Sequence, residues 1–177
     1  LLKLRQTVVL VGLMGAGKTQ VGRRLGIRLN APFYDSDQEV EAAAGMSVSD
    51  IFSVHGEAAF RDAERKVIHR LITGSPCVVA TGGGAYMNAE TRQHIAAHAR
   101  SIWLRATLEV LHARTSRSKR RPLLVGNNAE QILADLMEKR YPIYAEAEMV
   151  LDSDENSADQ TAQRVIEILL DRGIVDE

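Results

Sequence analysis

The stretch Gly12-Leu13-Met14-Gly15-Ala16-Gly17-Lys18-Thr19 has the residue types and the spacing to cradle a phosphate group, fitting the pattern GxxxxGK[ST]. Glycines let backbone N–H groups converge on phosphate oxygens with no Cβ in the way. A helix that starts here adds unsatisfied N–H donors and the positive end of its dipole. Lys18 has the reach for β- and γ-phosphates, and the Thr19 hydroxyl is what such a loop offers to Mg²⁺. The flanks agree with this reading. Thr7-Val8-Val9-Leu10-Val11 is a continuous apolar run expected to form a buried strand, and Val21, Leu25 and Leu29 recur as on one helix face. Strand, glycine turn and helix together predict a nucleoside triphosphate site.

Other polar residues must say what receives the phosphoryl group. No NKxD or DxxG pattern accompanies the loop, which argues against a guanine-nucleotide switch. Asp35 and Asp37 flank one residue at the end of a short strand, so in extended geometry they point the same way. Such a pair can divide the labour, one carboxylate toward a metal and its waters, the other toward an acceptor hydroxyl. A solvated turn with a helix cap at Asp37 is the plainer alternative. Arg61 and Glu64 share a helix face at a spacing that more commonly means a surface ion pair. Thr81-Gly82-Gly83-Gly84 follows an apolar run, and three glycines leave a bare backbone that a ligand can approach. The basic stretch with Arg114, Arg117, Lys119, Arg120 and Arg121 reads as a solvated charge run or as a lid over a nucleotide. Arg140 is compatible with a plain surface role. His94 and His98 have the i,i+4 spacing of metal ligands, with no third ligand evident.

The elements that must position these groups alternate along the chain, the pattern of βαβ units and a parallel sheet. Expected strands are Thr7 to Val11, Ala31 to Asp35, Val78 to Ala80, Ser101 to Leu104 and Met149 to Leu151. Between them, helices are expected from a capping box at Ser47-Val48-Ser49-Asp50 to His55, from Glu57 to Ile72, from an Asn88 cap to Ala99, from a Thr107 cap to Thr115 and from Ala129 to Ala147, with Pro142 kinking the last or starting a new turn in it. Phe60, Ala63, Val67 and Leu71 mark the buried stripe of the second of these. Ser157-Ala158-Asp159-Gln160 is a capping box opening a final helix.

A chain of 177 residues is expected to be one domain, with 45% hydrophobic and 25% charged residues in the ordinary globular range. A formal net charge of -1 argues against a nucleic-acid or membrane-surface binder. The one cysteine, Cys77, excludes an internal disulfide, suits a reducing compartment and reads as a small buried hydrophobe. No stretch approaches the roughly 18 apolar residues of a membrane span. The chain starts at Leu1 rather than a methionine, which leaves room for an upstream targeting segment, although nothing in the sequence suggests one.

Read together, the blocks Gly12 to Thr19, Asp35-Ser36-Asp37, Phe60-Arg61-Asp62-Ala63-Glu64, Gly82-Gly83-Gly84, Arg121-Pro122-Leu123-Leu124 and Arg140-Tyr141-Pro142-Ile143-Tyr144 resemble shikimate kinase, from Val8 to about Leu170. The phosphate loop is widespread; the ordered set is far more specific. The resemblance implies transfer of the ATP γ-phosphoryl group to the 3-hydroxyl of shikimate, a step toward chorismate and the aromatic amino acids. It implies a three-layer α/β/α sandwich of the P-loop nucleoside monophosphate kinase type, with a five-stranded parallel sheet in the order 2-3-1-4-5. Substrate-binding helices would span about 36–72 and a lid about 116–128, in a cytoplasmic monomer. By similarity Asp37 holds ring hydroxyls and is the candidate base, Arg61 and Arg140 bind the carboxylate, and Glu64 orients Arg61. Gly82, Gly83 and Gly84 line the substrate floor. ATP is the co-substrate, held by Gly12, Leu13, Met14, Gly15, Ala16, Gly17, Lys18 and Thr19, with Arg114 against adenine. Arg121 comes from the lid and, with Lys18, meets phosphate charge. Mg²⁺ falls to Thr19, with Asp35 and Asp37 acting through water.

The chemistry is consistent, since a small polyhydroxylated acid needs cationic forks for its carboxylate and acceptors for its hydroxyls. Two places depart from pattern. Val78 to Thr81 carries no carboxylate where many phosphate-loop enzymes place a metal-binding aspartate, and Asp152 to Ala158 keeps only part of the family's DTxxxSP adenine loop. The rival readings are another small-molecule kinase of this fold, such as gluconate kinase, and a non-catalytic ATP-binding module. The joint DxD, FRxxE and GGG blocks argue against the first, and the intact set Lys18, Asp37 and Arg121 against the second.

Overall fold

Val8, Val9, Leu10 and Val11 are all fully buried, although successive side chains of a strand point to opposite faces. Both faces of their strand must therefore be covered, as in a parallel sheet held between helices. The computed structural model describes residues 1–117, 128–153 and 156–177. Near the termini, β1 (Lys3–Leu4) pairs antiparallel with Val175–Asp176. The main sheet comprises β2 (Thr7–Val11), β3 (Phe33–Asp35), β4 (Val78–Ala80), β5 (Ala99–Arg105) and β6 (Met149–Asp152), the terminal pair's second strand being β7. Its order is β3-β4-β2-β5-β6 and every pairing in it is parallel. Numbered within that sheet, this is the expected 2-3-1-4-5.

The helices are α1 (Lys18–Arg28), α2 (Ser36–Ala44), α3 (Val48–His55), α4 (Glu57–Ile72), α5 (Ala89–His98), α6 (Leu108–Ser116), α7 (Ala129–Tyr144) and α8 (Ala158–Asp171). They flank the sheet: α1 packs on α8 and over β3 and β4, while α5 packs on α4 and on β5. The caps hold at Ser47, Asn88, Thr107 and Ser157, each side chain accepting a first-turn backbone N–H; Ser157 with Gln160 completes the reciprocal box, whereas at Ser47 only the serine half of the expected box forms. Pro142 sits inside the last turn of α7. The second strand begins at Phe33 rather than Ala31, because Pro32 has no N–H to give the ladder; its carbonyl instead accepts from Val78 N–H at 2.9 Å. The pair β1–β7 lay outside the sequence reading, since two-residue strands show no periodicity.

Parallel pairing puts the strand C-termini at one edge. There β2 runs into Gly12, β3 ends at Asp35, β4 runs into Thr81 and Gly82, and β6 runs into Ser153. Open α/β sheets bind ligands at that edge. Gly12 leaves β2 with φ +147°, and a Cβ there would lie 2.7 Å from the Leu104 carbonyl oxygen of β5. The turn of the phosphate loop is thus possible only for glycine. We expect Gly12→Ala to cost about 2 kcal/mol, as overpacking against backbone typically does. Urea denaturation measures this, and a wild-type midpoint would contradict the contact with β5.

Candidate active site

The phosphate loop opens α1 from Gly17, which has left-handed φ and no side-chain cap, so its first N–H groups stay available to an anion. Lys18 is buried and its Nζ donates to the Gly12 carbonyl at 2.6 Å and the Leu13 carbonyl at 2.9 Å. The Thr19 hydroxyl donates to Asp35 Oδ2 at 3.0 Å. These oxygens face one another where the loop meets β3.

Asp35 and Asp37 do not share an extended segment, as the spacing suggested. The chain turns helical at Ser36, and Asp35 rather than Asp37 is the cap: its Oδ1 accepts from Asp37 N–H at 3.0 Å and Gln38 N–H at 3.3 Å. Asp35 is therefore occupied by a helix end and by Thr19. Asp37, in the first turn of α2, points to the glycine segment instead.

There the three glycines serve a purpose the sequence did not reveal. They admit side chains. A Cβ on Gly82 would lie 2.7 Å from Asp37 Oδ1, one on Gly83 3.0 Å from Arg140 Nη1, and one on Gly84 2.4 Å from Arg61 Nη2. Each missing Cβ makes room for one charged group, and α2, α4 and α7 each supply one. The loop is anchored by the Ser36 hydroxyl, which accepts from Gly82 N–H at 3.0 Å, and by the Tyr144 hydroxyl, which donates to the Gly83 carbonyl. Ser36 is the middle residue of Asp35-Ser36-Asp37, and the helix that buries it gives it this role.

Glu64 belongs to the buried stripe of α4, with Phe60, Val67, Ile68 and Leu71. Its Oε1 accepts from Arg61 Nη1 at 2.9 Å, and the Arg61 guanidinium also lies 5.2 Å from the centroid of the Phe60 ring. This is no surface pair, because the Glu64 side chain is only 4% exposed. Burial pushes its carboxyl up to about 7, Arg61 and Arg140 pull it down, and Asp37 raises it further. Asp37 is also raised, first by burial and then by Asp35, against the pull of Lys18 and Arg61. Among the described residues, Asp37 Oδ1 and Glu64 Oε2 are buried without a hydrogen-bond partner. Two desolvated acceptors beside two guanidiniums suit a ligand that carries hydroxyls and an anionic group.

The phosphate loop abuts this cluster, the projected Gly83 Cβ lying 3.8 Å from the Gly12 carbonyl and 3.9 Å from Met14 N. On the loop's other side, Arg114 donates to the Gly15 and Ala16 carbonyls at 3.1 and 3.4 Å and to the Ser153 carbonyl. The Ser153 hydroxyl donates to the Ala16 carbonyl at 3.0 Å. Ser153 thus ties β6 to the phosphate loop, a contact that the partial adenine-loop match over Asp152 to Ala158 does not specify. Arg121 and its neighbours Lys119, Arg120, Pro122, Leu123 and Leu124 lie outside the described residues, as do Asp154 and Glu155 of the adenine loop. His94 and His98 meet His69 of α4, with ring centroids 4.3 and 6.4 Å away. Among the described residues, however, no three ligating side chains form a metal-binding group.

The comparisons with known proteins converge. The family model for shikimate kinase matches residues 14–170. A shikimate kinase of Paramagnetospirillum magneticum is 53% identical over 168 residues, covering 95% of this chain and 86% of that protein. The structure of shikimate kinase from Acinetobacter baumannii in complex with shikimate has a TM-score of 0.89 at 38% identity, covering 94% of each chain. That of shikimate kinase from Aquifex aeolicus has a TM-score of 0.83 at 31% identity, covering 95% of this chain and 98% of the other.

The raised carboxyl of Glu64 has a measurable signature. A carboxyl that holds its proton more tightly folded than unfolded costs stability as pH rises from its ordinary 4.5 to about 7, and the cost is constant beyond. Glu64→Gln cannot titrate, so its unfolding free energy should decline less than wild type across this window. Urea unfolding at a series of pH values tests this. Parallel wild-type and variant profiles would contradict the buried, proton-holding carboxyl.

Proposed function

The chain belongs to the shikimate kinase family, and from that premise we propose how its residues divide the transfer of the ATP γ-phosphoryl group to the 3-hydroxyl of shikimate. The observation that carries the assignment is the convergence of Asp37, Arg140 and Arg61 on Gly82, Gly83 and Gly84, beside the phosphate loop. Arg61 and Arg140 hold the shikimate carboxylate as cationic forks. Glu64 fixes the Arg61 guanidinium through its 2.9 Å hydrogen bond. Asp37 accepts ring hydroxyls and takes the proton of the attacking one.

Its raised pKa makes Asp37 a stronger base than an exposed aspartate, with burial the leading cause and Asp35 the next. As the acceptor oxygen bonds to the γ-phosphorus, the bond to the β–γ bridging oxygen breaks and ADP leaves. Lys18 and the N–H groups of the loop stabilise the charge on the transferring group, and Arg121 joins them from a lid spanning about 116–128. Arg114, its guanidinium edge fixed on the loop carbonyls and Ser153, supports adenine. The donor set at Thr19 and Asp35 fits Mg²⁺, which takes hard oxygen ligands and few of them from protein. Held there, Mg²⁺ would supply positive charge against the triphosphate.

The reading extends to one kinase domain, with substrate helices at about 36–72, acting as a cytoplasmic monomer. The near-neutral charge and the single buried cysteine support that setting. No helix among the described residues is long and apolar enough to cross a membrane.

Coupled ADP release with Mg-ATP is expected to require shikimate and to show no response to gluconate. Release with gluconate alone would discard the roles of Asp37, Arg61 and Arg140. Asp37→Asn is expected to keep ATP binding and to lower kcat by about 10²–10⁴, the usual contribution of a positioned base. Near-normal turnover in that variant would remove Asp37 from its role.

A further inference from the structure

Tyr144 lies in the last turn of α7, four residues beyond Arg140, so the two side chains leave the same face of that helix. Its side chain is fully buried, packed near Trp103 and Tyr86 with ring centroids 5.8 and 6.5 Å away. The hydroxyl donates to the Gly83 carbonyl, while Arg140 Nη1 stands 3.0 Å from the position of a Gly83 Cβ. One helix therefore meets one floor residue twice, through a hydroxyl that sets its distance and a guanidinium that points past it. Burial pushes the phenol up to about 12, against the pull of Arg140, so the group remains a donor at neutral pH.

We propose that Tyr144 is a positioning residue for the acid-binding half of the substrate site: its bond to Gly83 fixes where α7 presents Arg140 to the carboxylate. Packing alone does not require this hydroxyl, since phenylalanine fills the same ring volume. Tyr141 supplies an internal control. Its hydroxyl donates to the Ala106 carbonyl at 2.6 Å, a comparable bond made away from the glycine floor.

The inference rests on the reading of Arg140 as a carboxylate fork, which Arg140→Ala tests separately: an unchanged shikimate KM there would sink that reading. Given that reading, Tyr144→Phe should raise the shikimate KM about tenfold while kcat and the ATP KM stay within about twofold, the scale of one lost buried hydrogen bond. Tyr141→Phe should leave the shikimate KM at its wild-type value. An unchanged shikimate KM in Tyr144→Phe would overturn the proposal. So would an equal rise in the ATP KM, or the same rise in Tyr141→Phe, because each would mark a general structural effect.

Discussion

At residues 82, 83 and 84 a Cβ would lie 2.7 Å from Asp37 Oδ1, 3.0 Å from Arg140 Nη1 and 2.4 Å from Arg61 Nη2. The site depends on these three absences. Charged groups from three helices approach one short backbone segment, and any larger residue would drive one of them away. Close approach removes water, and the loss of water is what raises Asp37 and Glu64 toward neutral pH. The guanidiniums of Arg61 and Arg140 compensate the buried carboxylates. A ligand with one carboxylate and several hydroxyls can then compete for both kinds of partner.

The glycine segment is itself held by the fold. Register places Ala80 beside Leu10 and Asp35, so the ends of β2, β3 and β4 deliver the phosphate loop, the capping aspartate and the floor to one edge. Thr19 and Asp35 join across that edge at 3.0 Å, and Ser36 joins α2 to Gly82. The phosphate loop and the glycine floor are thus parts of one sheet edge. In-line transfer needs that proximity more than it needs a strong base.

Much of this was legible in the sequence. The valine run of β2, the caps at Ser47, Asn88 and Ser157 and the glycine pattern of the loop are local signals, and strand order followed from the family resemblance. What local signals do not carry is direction. Two aspartates separated by one residue looked parallel, but a helix begins between them and sends Asp35 to Thr19 and Asp37 to the floor. Arg61 and Glu64 had the spacing of a surface pair, yet Glu64 lies on the buried stripe of α4. Three glycines suggested room for a ligand, and they also make room for the side chains of Asp37, Arg140 and Arg61. The roles of Ser36, Ser153 and the Tyr144 hydroxyl come from long-range contacts, which a single sequence does not display.

In the proposed reading, the two buried acceptors and two guanidiniums on the glycine floor form the shikimate site. A crystal structure of this chain with shikimate and ADP tests it most directly. The shikimate carboxylate is expected on Arg61 and Arg140, with a ring hydroxyl donating to Asp37 Oδ1. Shikimate bound elsewhere, or bound here with its carboxylate away from both arginines, would contradict it.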